Sequence, residues 1–204
     1  MLTTKNLECI RGEHRLFSNI SFSVNPGELM FVGGPNGSGK TSLLRLLCGL
    51  SLPDSGEICW NGTDIRELCG DYRNVMTYLG HLGGIKDDLT AIENLRISSA
   101  LAGCGIDEDQ AADALGQMGL AGREMLPAKV LSQGQRRRVA LARLLVTQTK
   151  LWILDEPLTA LDIAAVDLIK GILEHNLSTG GMVIMTTHQE IAMTAATVHH
   201  LTLS

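Results

Sequence analysis

Short apolar runs alternate with helical patterns along most of this chain. Three apolar runs are predicted as buried strands: Leu29–Gly33, Leu151–Leu154 and Met182–Thr186. Three segments with helical periodicity lie among them: Lys40–Leu47, Gln135–Val146 and Ile163–Leu177. Fully apolar strands that alternate with helices are typical of a parallel sheet covered on both faces. The pattern therefore predicts an α/β fold.

The N-terminal part departs from this alternation. The first 30 residues and the segment Gly56–Trp60 are predicted as a separate antiparallel patch. The dipeptide Asn61-Gly62 follows that segment, and both of its residues tolerate positive φ, which favours a tight hairpin turn.

A second departure lies near the middle of the chain. Thr90 is followed three residues later by Glu93, and Asp107 by Gln110, which is the spacing of N-terminal capping boxes. Helical runs follow both. Residues from about 90 to 125 are therefore predicted as a helical insert without strands.

Composition limits the possible partners. The chain has 204 residues, 45% hydrophobic and 19% charged, which suits one ordinary globular domain. Its net charge of −5 gives no general attraction to nucleic acid, so we expect no nucleic-acid partner. It has no run of the roughly 18–20 apolar residues that span a bilayer, and its first residues lack the apolar core of a secretory signal. We expect a cytoplasmic protein that reaches a membrane through a partner.

Neither the cysteines nor the basic residues indicate a further site. The cysteines are odd in number and form no C-x-x-C pair, so free thiols are expected rather than disulfides or zinc ligands; they are Cys9, Cys48, Cys59, Cys69 and Cys104. The one basic run, Arg136-Arg137-Arg138, is predicted as the solvated face of a helix.

A glycine-rich segment matches G-x-x-x-x-G-K-S/T. It comprises Gly34, Pro35, Asn36, Gly37, Ser38, Gly39, Lys40 and Thr41, and Ser42 follows it. The motif comes after an apolar strand and opens a helix, so backbone N–H groups and the helix N-terminus point at bound phosphates. Lys40 is expected on the β/γ oxygens of ATP and the Thr41 hydroxyl on Mg²⁺. The segment, with Ser42, predicts a nucleotide site.

The apolar strand at residue 151 ends in two adjacent carboxylates, Asp155 and Glu156. Successive side chains of a strand point to opposite faces, so the two acids are expected to have different roles. Asp155 is predicted to bind the metal or its water. Glu156 is predicted to act as the general base that polarises the attacking water.

Ser132 and Gln135 have the spacing of a further capping box. At this point Leu131-Ser132-Gln133-Gly134-Gln135 resembles the LSGGQ signature of the ABC ATPase family. The resemblance implies a P-loop core with an antiparallel β subdomain (together about 1–89 and 126–204) and an inserted helical subdomain (about 90–125), in a single ATP-binding domain 1–204. It also implies that Ser132, Gly134 and Gln135 bind the γ-phosphate of ATP held by a second copy, so that two copies sandwich the nucleotide.

Further matches follow in the order of the family. Thr159-Ala160-Leu161-Asp162 resembles the loop that crosses the dimer interface, which would place Asp162 near the nucleotide. Thr186-Thr187-His188 resembles the switch segment, which implies that His188 contacts the γ-phosphate.

Three positions differ from the family pattern. His81 stands where the family has a glutamine linked to Mg²⁺ and to the membrane partner, and imidazole is a poorer Mg²⁺ ligand than an amide oxygen. Arg11 stands near the position of the aromatic residue that stacks on adenine, and a guanidinium can also stack on a base. Gln133 replaces the first glycine of the signature.

Within the family, four segments resemble the ATPase subunit of bacterial cytochrome c maturation systems: Gly80-His81, Gly84-Ile85-Lys86, Leu89–Leu95 and Leu151–Pro157. The resemblance implies an integral membrane permease as partner at the inner membrane, with ATP driving haem export or release of a haem-loaded chaperone. Haem is expected only indirectly, and His199 and His200 are expected as surface polar residues. Two alternatives stay open: the ATPase of another ABC transporter, and a soluble ABC ATPase for iron–sulfur cluster assembly.

Overall fold

The computed structural model describes residues 1–68, 70–187, 193 and 197–204. The chain divides into two compact units. The first contains Met1–Tyr78, Thr149–Asp155 and Leu173–Ser204, and the second contains Leu79–Gln148 and Glu156–Ile172. Across the described residues, no helix combines the length and the apolar character that crossing a bilayer would require.

The strands and helices follow one another in chain order: β1 (Leu2–Arg11), β2 (His14–Val24), β3 (Glu28–Gly33), α1 (Lys40–Leu47), β4 (Ser55–Trp60), β5 (Thr63–Asp64), α2 (Ile65–Leu68), α3 (Gly70–Asn74), β6 (Met76–Leu79), α4 (Ala91–Leu101), α5 (Glu108–Gln117), a 3-10 turn (Ala128–Val130), α6 (Gln133–Leu141), α7 (Arg143–Val146), β7 (Leu151–Asp155), α8 (Ile163–Ser178), β8 (Met182–Thr186) and β9 (Thr197–Thr202).

The predicted antiparallel patch is confirmed as a four-stranded sheet in the order β2-β1-β4-β5. The turn between β4 and β5 is the predicted hairpin, since Trp60 pairs with Thr63. Asn61 and Gly62 have φ values of +50° and +88°, the left-handed conformations that this tight turn needs.

The second sheet has the strand order β6-β7-β8-β3-β9. β7 and β8 run parallel, as do β8 and β3, and β3 and β9. Asp155, at the end of β7, is in register with Thr186 at the end of β8, and Thr186 is in register with Val32 near the end of β3. The carboxyl ends of these strands therefore meet at one edge of the sheet, where ligands bind in α/β folds.

The core of the first unit is apolar and comes from both sheets and from α1. This helix begins at Lys40, as predicted, and buries Leu43, Leu44, Leu46 and Leu47. Two cysteines, Cys9 and Cys48, are also buried in this core, as expected for thiols that pack as small apolar groups. Cys69 lies outside the described residues.

The second unit contains the predicted helical segment. α4 packs against α5, α6 and α7. The capping boxes at Thr90 and Asp107 are both confirmed: each side chain accepts a hydrogen bond from the backbone N–H three residues later, and the side chain there bonds back.

The prediction of one continuous helix over Gln135–Val146 is wrong. The helix begins two residues earlier, and Ala142 separates α6 from α7. The backbone tightens there, because Leu145 N–H bonds to the Ala142 carbonyl three residues back, a shorter span than an α-helix has.

Candidate nucleotide site

The segment between β3 and α1 is a loop. Two of its positions accept only glycine. A Cβ atom on Gly34 would lie 2.4 Å from the Leu203 carbonyl oxygen and 2.7 Å from Ser38 Oγ. Gly39, at the N-terminus of α1, has a φ of +94°, and a Cβ there would lie 3.0 Å from the Phe17 ring. The glycines therefore allow a tight concave turn ahead of the helix.

The polar groups of this loop are arranged for an anion. Lys40 Nζ donates hydrogen bonds to the carbonyls of Gly34 and Pro35, at 2.8 and 3.1 Å. Ser38 Oγ is buried, and no hydrogen-bond partner for it exists within the described part of the chain. The N-terminus of α1 has no side-chain cap. A bound phosphate would supply acceptors for the ammonium, the hydroxyl and the free N–H groups together.

Asp155 lies beside the hydroxyl at the start of α1. Thr41 Oγ1 donates to Asp155 Oδ2 at 2.8 Å, and Thr186 Oγ1 donates to Asp155 Oδ1 at 2.8 Å. The carboxylate is only 2% exposed, so these hydrogen bonds fix its orientation. The sequence indicated Thr41 and Asp155 as a pair of metal ligands, and the fold brings them together from 114 residues apart.

Glu156, the next residue in the chain, has an unusual backbone. Its φ is +51°, a left-handed conformation that a non-glycine residue adopts at a cost of about 1–3 kcal/mol. Its carbonyl accepts hydrogen bonds from Arg137 Nη2 at 2.6 Å and from Thr159 N–H at 3.3 Å. Such strain, held in place by neighbouring groups, is common at catalytic positions.

The signature segment opens α6 as its capping box predicted. Ser132 Oγ accepts from Gln135 N–H at 3.2 Å, and Gln135 Oε1 accepts from Ser132 N–H at 2.9 Å. Gly134 lies against the predicted interface loop, since a Cβ there would be 2.7 Å from the Ala160 carbonyl oxygen. Asp162, in the same loop, caps α8 by accepting from Ala165 N–H at 2.8 Å and pairs with Arg138 at 2.8 Å.

The prediction that Arg136-Arg137-Arg138 form a solvated helix face is wrong. Arg137 is 8% exposed, and its guanidinium bonds to backbone carbonyls. Arg136 and Arg138 are half-buried in ion pairs with Asp87 and Asp162. The residues three and four positions after Arg137, Ala140 and Leu141, are buried, so helical spacing places Arg137 on the inner face.

The remaining predicted residues lie partly in the glycine loop and α1 and partly in other segments. Asn36 and Gly37 are exposed at the tip of the glycine loop, and Ser42 is half-buried in the first turn of α1. Arg11 is exposed at the end of β1, with Nη2 3.5 Å from Ser51 Oγ, and His81 is exposed. His188 lies outside the described residues, so its predicted contact with the γ-phosphate stays a prediction.

Sequence reasoning missed two residues of this region. Thr186 was part of the predicted switch segment without a role, and the structure places its hydroxyl on Asp155. The signal for it was its position at the carboxyl end of an apolar strand. Arg137 was missed because a run of three arginines predicts a solvated helix face, although helical spacing puts Arg137 on the buried side.

The comparisons with known proteins agree with this geometry. The sequence model of the ABC transporter family matches residues 17–159. A curated relative from Nitrosomonas europaea, the cytochrome c biogenesis ATP-binding export protein CcmA, is 88% identical over 204 residues, which cover 100% of this chain and 96% of the relative.

Solved structures give the same result for the fold. A dimeric bacterial ABC transporter cassette superposes with a TM-score of 0.84 at 25% identity, covering 99% of this chain and 94% of that one. A dimeric ATP-binding cassette in a post-hydrolysis state, bound to ADP and Pi, superposes with a TM-score of 0.80 at 26% identity, covering 93% and 88%. The chain therefore belongs to the ABC transporter family of ATP-hydrolysing subunits, among the relatives named CcmA.

Proposed function

We propose that this chain is the ATP-hydrolysing subunit of a membrane ABC complex for cytochrome c biogenesis, and that it powers haem export or release of a haem-loaded chaperone. The observation that carries the ATPase role is the Thr41–Asp155 contact at the end of the glycine loop. The role in cytochrome c biogenesis is supported by a relative that is named for that process and is 88% identical over the full chain.

The residues present fit ATP with Mg²⁺. Thr41 Oγ1 and the Asp155 carboxylate are hard oxygen donors of the kind that Mg²⁺ prefers. The hydrogen bond from Thr186 to Asp155 orients that carboxylate, as outer-shell partners of metal ligands do. When bound, Mg²⁺ would neutralise negative charge on the β- and γ-phosphates.

The side chains of the first unit bind and orient the nucleotide in this proposal. Lys40 leaves the loop carbonyls that it contacts and pairs with the β/γ oxygens. The N–H groups of Gly37, Gly39 and Lys40 at the head of α1 donate to the phosphates, and Ser38 Oγ gains a partner. Ser42 lies next to the phosphates, and Arg11 stacks on the adenine.

Hydrolysis depends on Glu156. Its carboxylate accepts a proton from the attacking water, and the oxygen of that water forms a bond to the γ-phosphorus while the bond to the ADP oxygen breaks. His188 contacts the γ-phosphate. The strained backbone of Glu156 fits this role, because such strain is common at catalytic positions.

The site is completed by a second copy of the chain. The N-terminus of α6 is exposed at Ser132. The Ser132 hydroxyl, the Gly134 N–H and the Gln135 side chain would meet the γ-phosphate held by the partner. Asp162 lies in the loop next to Gly134 and crosses the interface. The dimeric cassettes that this chain resembles, one of them bound to ADP and Pi, support the pairing of two copies.

A membrane permease binds near His81 in this proposal. Beside His81, Leu82 is 91% exposed. A cavity of about 250 Å³ within the second unit is lined by both residues and by Arg136. Leu101, Met125 and Val130 are also exposed in the second unit. If these apolar side chains form one patch, burial against a partner would remove them from water, which favours a partner on this unit.

The ATPase role is tested with Glu156→Gln in the complex purified with its permease. We expect ATP binding to persist while turnover falls by about 10²- to 10⁴-fold, the usual contribution of a general base. Purified without the permease, the variant should elute from gel filtration as a dimer when ATP is present. Glu67→Gln, an exposed change in α2, is the matched control. Brisk hydrolysis by Glu156→Gln would remove Glu156 as the base.

The cargo is tested separately in cells. A strain without this chain should lose haem-stained c-type cytochromes, and wild-type protein should restore them while Glu156→Gln should not. Normal cytochrome levels in the deletion strain would refute the biogenesis role and leave the ATPase role standing.

A further inference from the structure

Arg137 is a buried cation within the second unit. It lies in α6, five positions after Ser132, and only 8% of the residue is exposed. Burial of a guanidinium is costly unless its N–H groups are satisfied. Here they donate to carbonyl oxygens of other segments, so Arg137 connects α6 to backbone that lies far away in the sequence.

The acceptors belong to two loops. Arg137 Nη2 donates to the Glu156 carbonyl at 2.6 Å, and Nε donates to the Pro157 carbonyl at 3.1 Å. On the other side, Nη1 donates to the carbonyls of His81 at 3.1 Å and Gly80 at 3.3 Å. One planar group thus bonds to the turn that bears the proposed base and to the segment next to the proposed permease surface.

The bond to the Glu156 carbonyl acts on a strained residue. Glu156 has a φ of +51°, which non-glycine residues adopt only where the surroundings hold them. The direction of its side chain follows from this backbone conformation. A donor fixed to the carbonyl of the same residue therefore fixes where the carboxylate lies.

We infer that Arg137 is a positioning residue for ATP hydrolysis, which holds the backbone of Glu156 and of His81 to the signature helix α6. This inference rests on the proposed function, which assigns Glu156 as the base. A movement of α6 upon closure of the dimer would then move the base-bearing turn and the His81 segment together.

The shape of the side chain matters as well as its charge. Arginine carries N–H donors in a rigid planar fork, whereas lysine carries one compact ammonium on a flexible stem. A lysine at this position could reach one of the two loops but could not bridge both with the same geometry. The charge-conserving change Arg137→Lys therefore separates positioning from simple charge.

Arg73 supplies the control for loss of charge. It carries the same charge as Arg137, but it lies exposed in α3 of the first unit and has no role in the proposed nucleotide site or permease surface. Arg73→Gln removes one arginine charge and leaves the contacts of Arg137 in place.

The experiment measures ATP hydrolysis by the permease complex, with turnover expressed per nucleotide-binding site so that partial unfolding does not count as lost catalysis. For Arg137→Gln and Arg137→Lys we expect kcat to fall by about 10- to 100-fold, the effect of misplacing a catalytic group. The Kd of a fluorescent ATP analogue should stay within about twofold. Arg73→Gln should keep wild-type kcat.

A double-mutant cycle tests whether Arg137 acts through Glu156. In the Glu156→Gln background, measured in single turnovers, Arg137→Gln should lower the rate by less than about twofold, because the group that it positions is already gone. Three results would each overturn the inference. They are full turnover in Arg137→Lys, a loss of ATP affinity as large as the loss of kcat, and an equal fold-decrease from Arg137→Gln in the wild-type and Glu156→Gln backgrounds. Absence of ATP hydrolysis by the wild-type complex would instead refute the proposed function.

Discussion

The packing of Gly134 against the interface loop gives a prediction for Gly134→Ala. In the wild-type structure the ideal Cβ position at residue 134 lies 2.7 Å from the Ala160 carbonyl oxygen. A Cβ atom essentially never approaches closer than 3.0 Å, and ordinary contact begins at 3.4 Å. The helix or the loop must therefore move by about 0.3–0.7 Å, the differences between these limits and 2.7 Å. The backbone of Ala160 has little freedom to move, because its φ of +66° is already a conformation that non-glycine residues rarely adopt.

The expected change in the free energy of unfolding has two opposing contributions. Alanine is a better helix former than glycine by about 0.5–1 kcal/mol. Overpacking of a close contact costs about 1–3 kcal/mol. The control Gly171→Ala has the helix benefit alone, since Gly171 lies within α8 and a Cβ there would meet nothing within 4 Å. The free energy of unfolding should therefore be lower in Gly134→Ala than in Gly171→Ala by about 1–3 kcal/mol.

Thermal unfolding measures this difference. A change of 1 kcal/mol moves the Tm by about 2–4 °C in a chain of this length, so Gly171→Ala should melt above wild type and Gly134→Ala clearly below Gly171→Ala. The ATPase rate per folded protein should fall only in Gly134→Ala, because the displaced loop carries Asp162. Equal Tm values for the two variants would refute the close contact between Gly134 and Ala160.

Three further changes have specific expected outcomes. Lys40→Ala should weaken binding of a fluorescent ATP analogue by about 10- to 100-fold, because a charge-assisted contact is lost. The exposed control Lys150→Ala should bind normally, and equal affinities of the two variants would remove Lys40 from the site. Asn94→Ala should lower the free energy of unfolding in urea by about 2–4 kcal/mol, because this buried side chain bonds to several backbone groups of the preceding loop; an unchanged midpoint would contradict those bonds. Burial raises the pKa of the Cys48 thiol. Alkylation at pH 8, read out by peptide mass spectrometry, should therefore modify the half-exposed Cys104 and not Cys48. Rapid labelling of Cys48 in folded protein would contradict its burial.

The features that the sequence determined by itself depend on neighbouring residues. The start of α1 at Lys40 follows from the glycine turn before it, and the capping boxes at Thr90, Asp107 and Ser132 each join residues three positions apart. Hydrogen bonds of this range form wherever the local residues allow them. The apolar runs likewise predicted β7 and β8, because a strand buried on both faces needs apolar side chains throughout.

Tertiary structure decided what joins distant segments. The register of β7 with β8 places Thr186 against Asp155, although 31 residues separate them. The packing of α6 turns Arg137 inward toward carbonyls 19 and 57 residues away, whereas the basic run alone predicted a solvated face. Which strand edges pair, and which face of a helix is buried, depends on the free energy of the whole packed chain. Local hydrogen bonds leave that choice open, and only the assembled fold makes it.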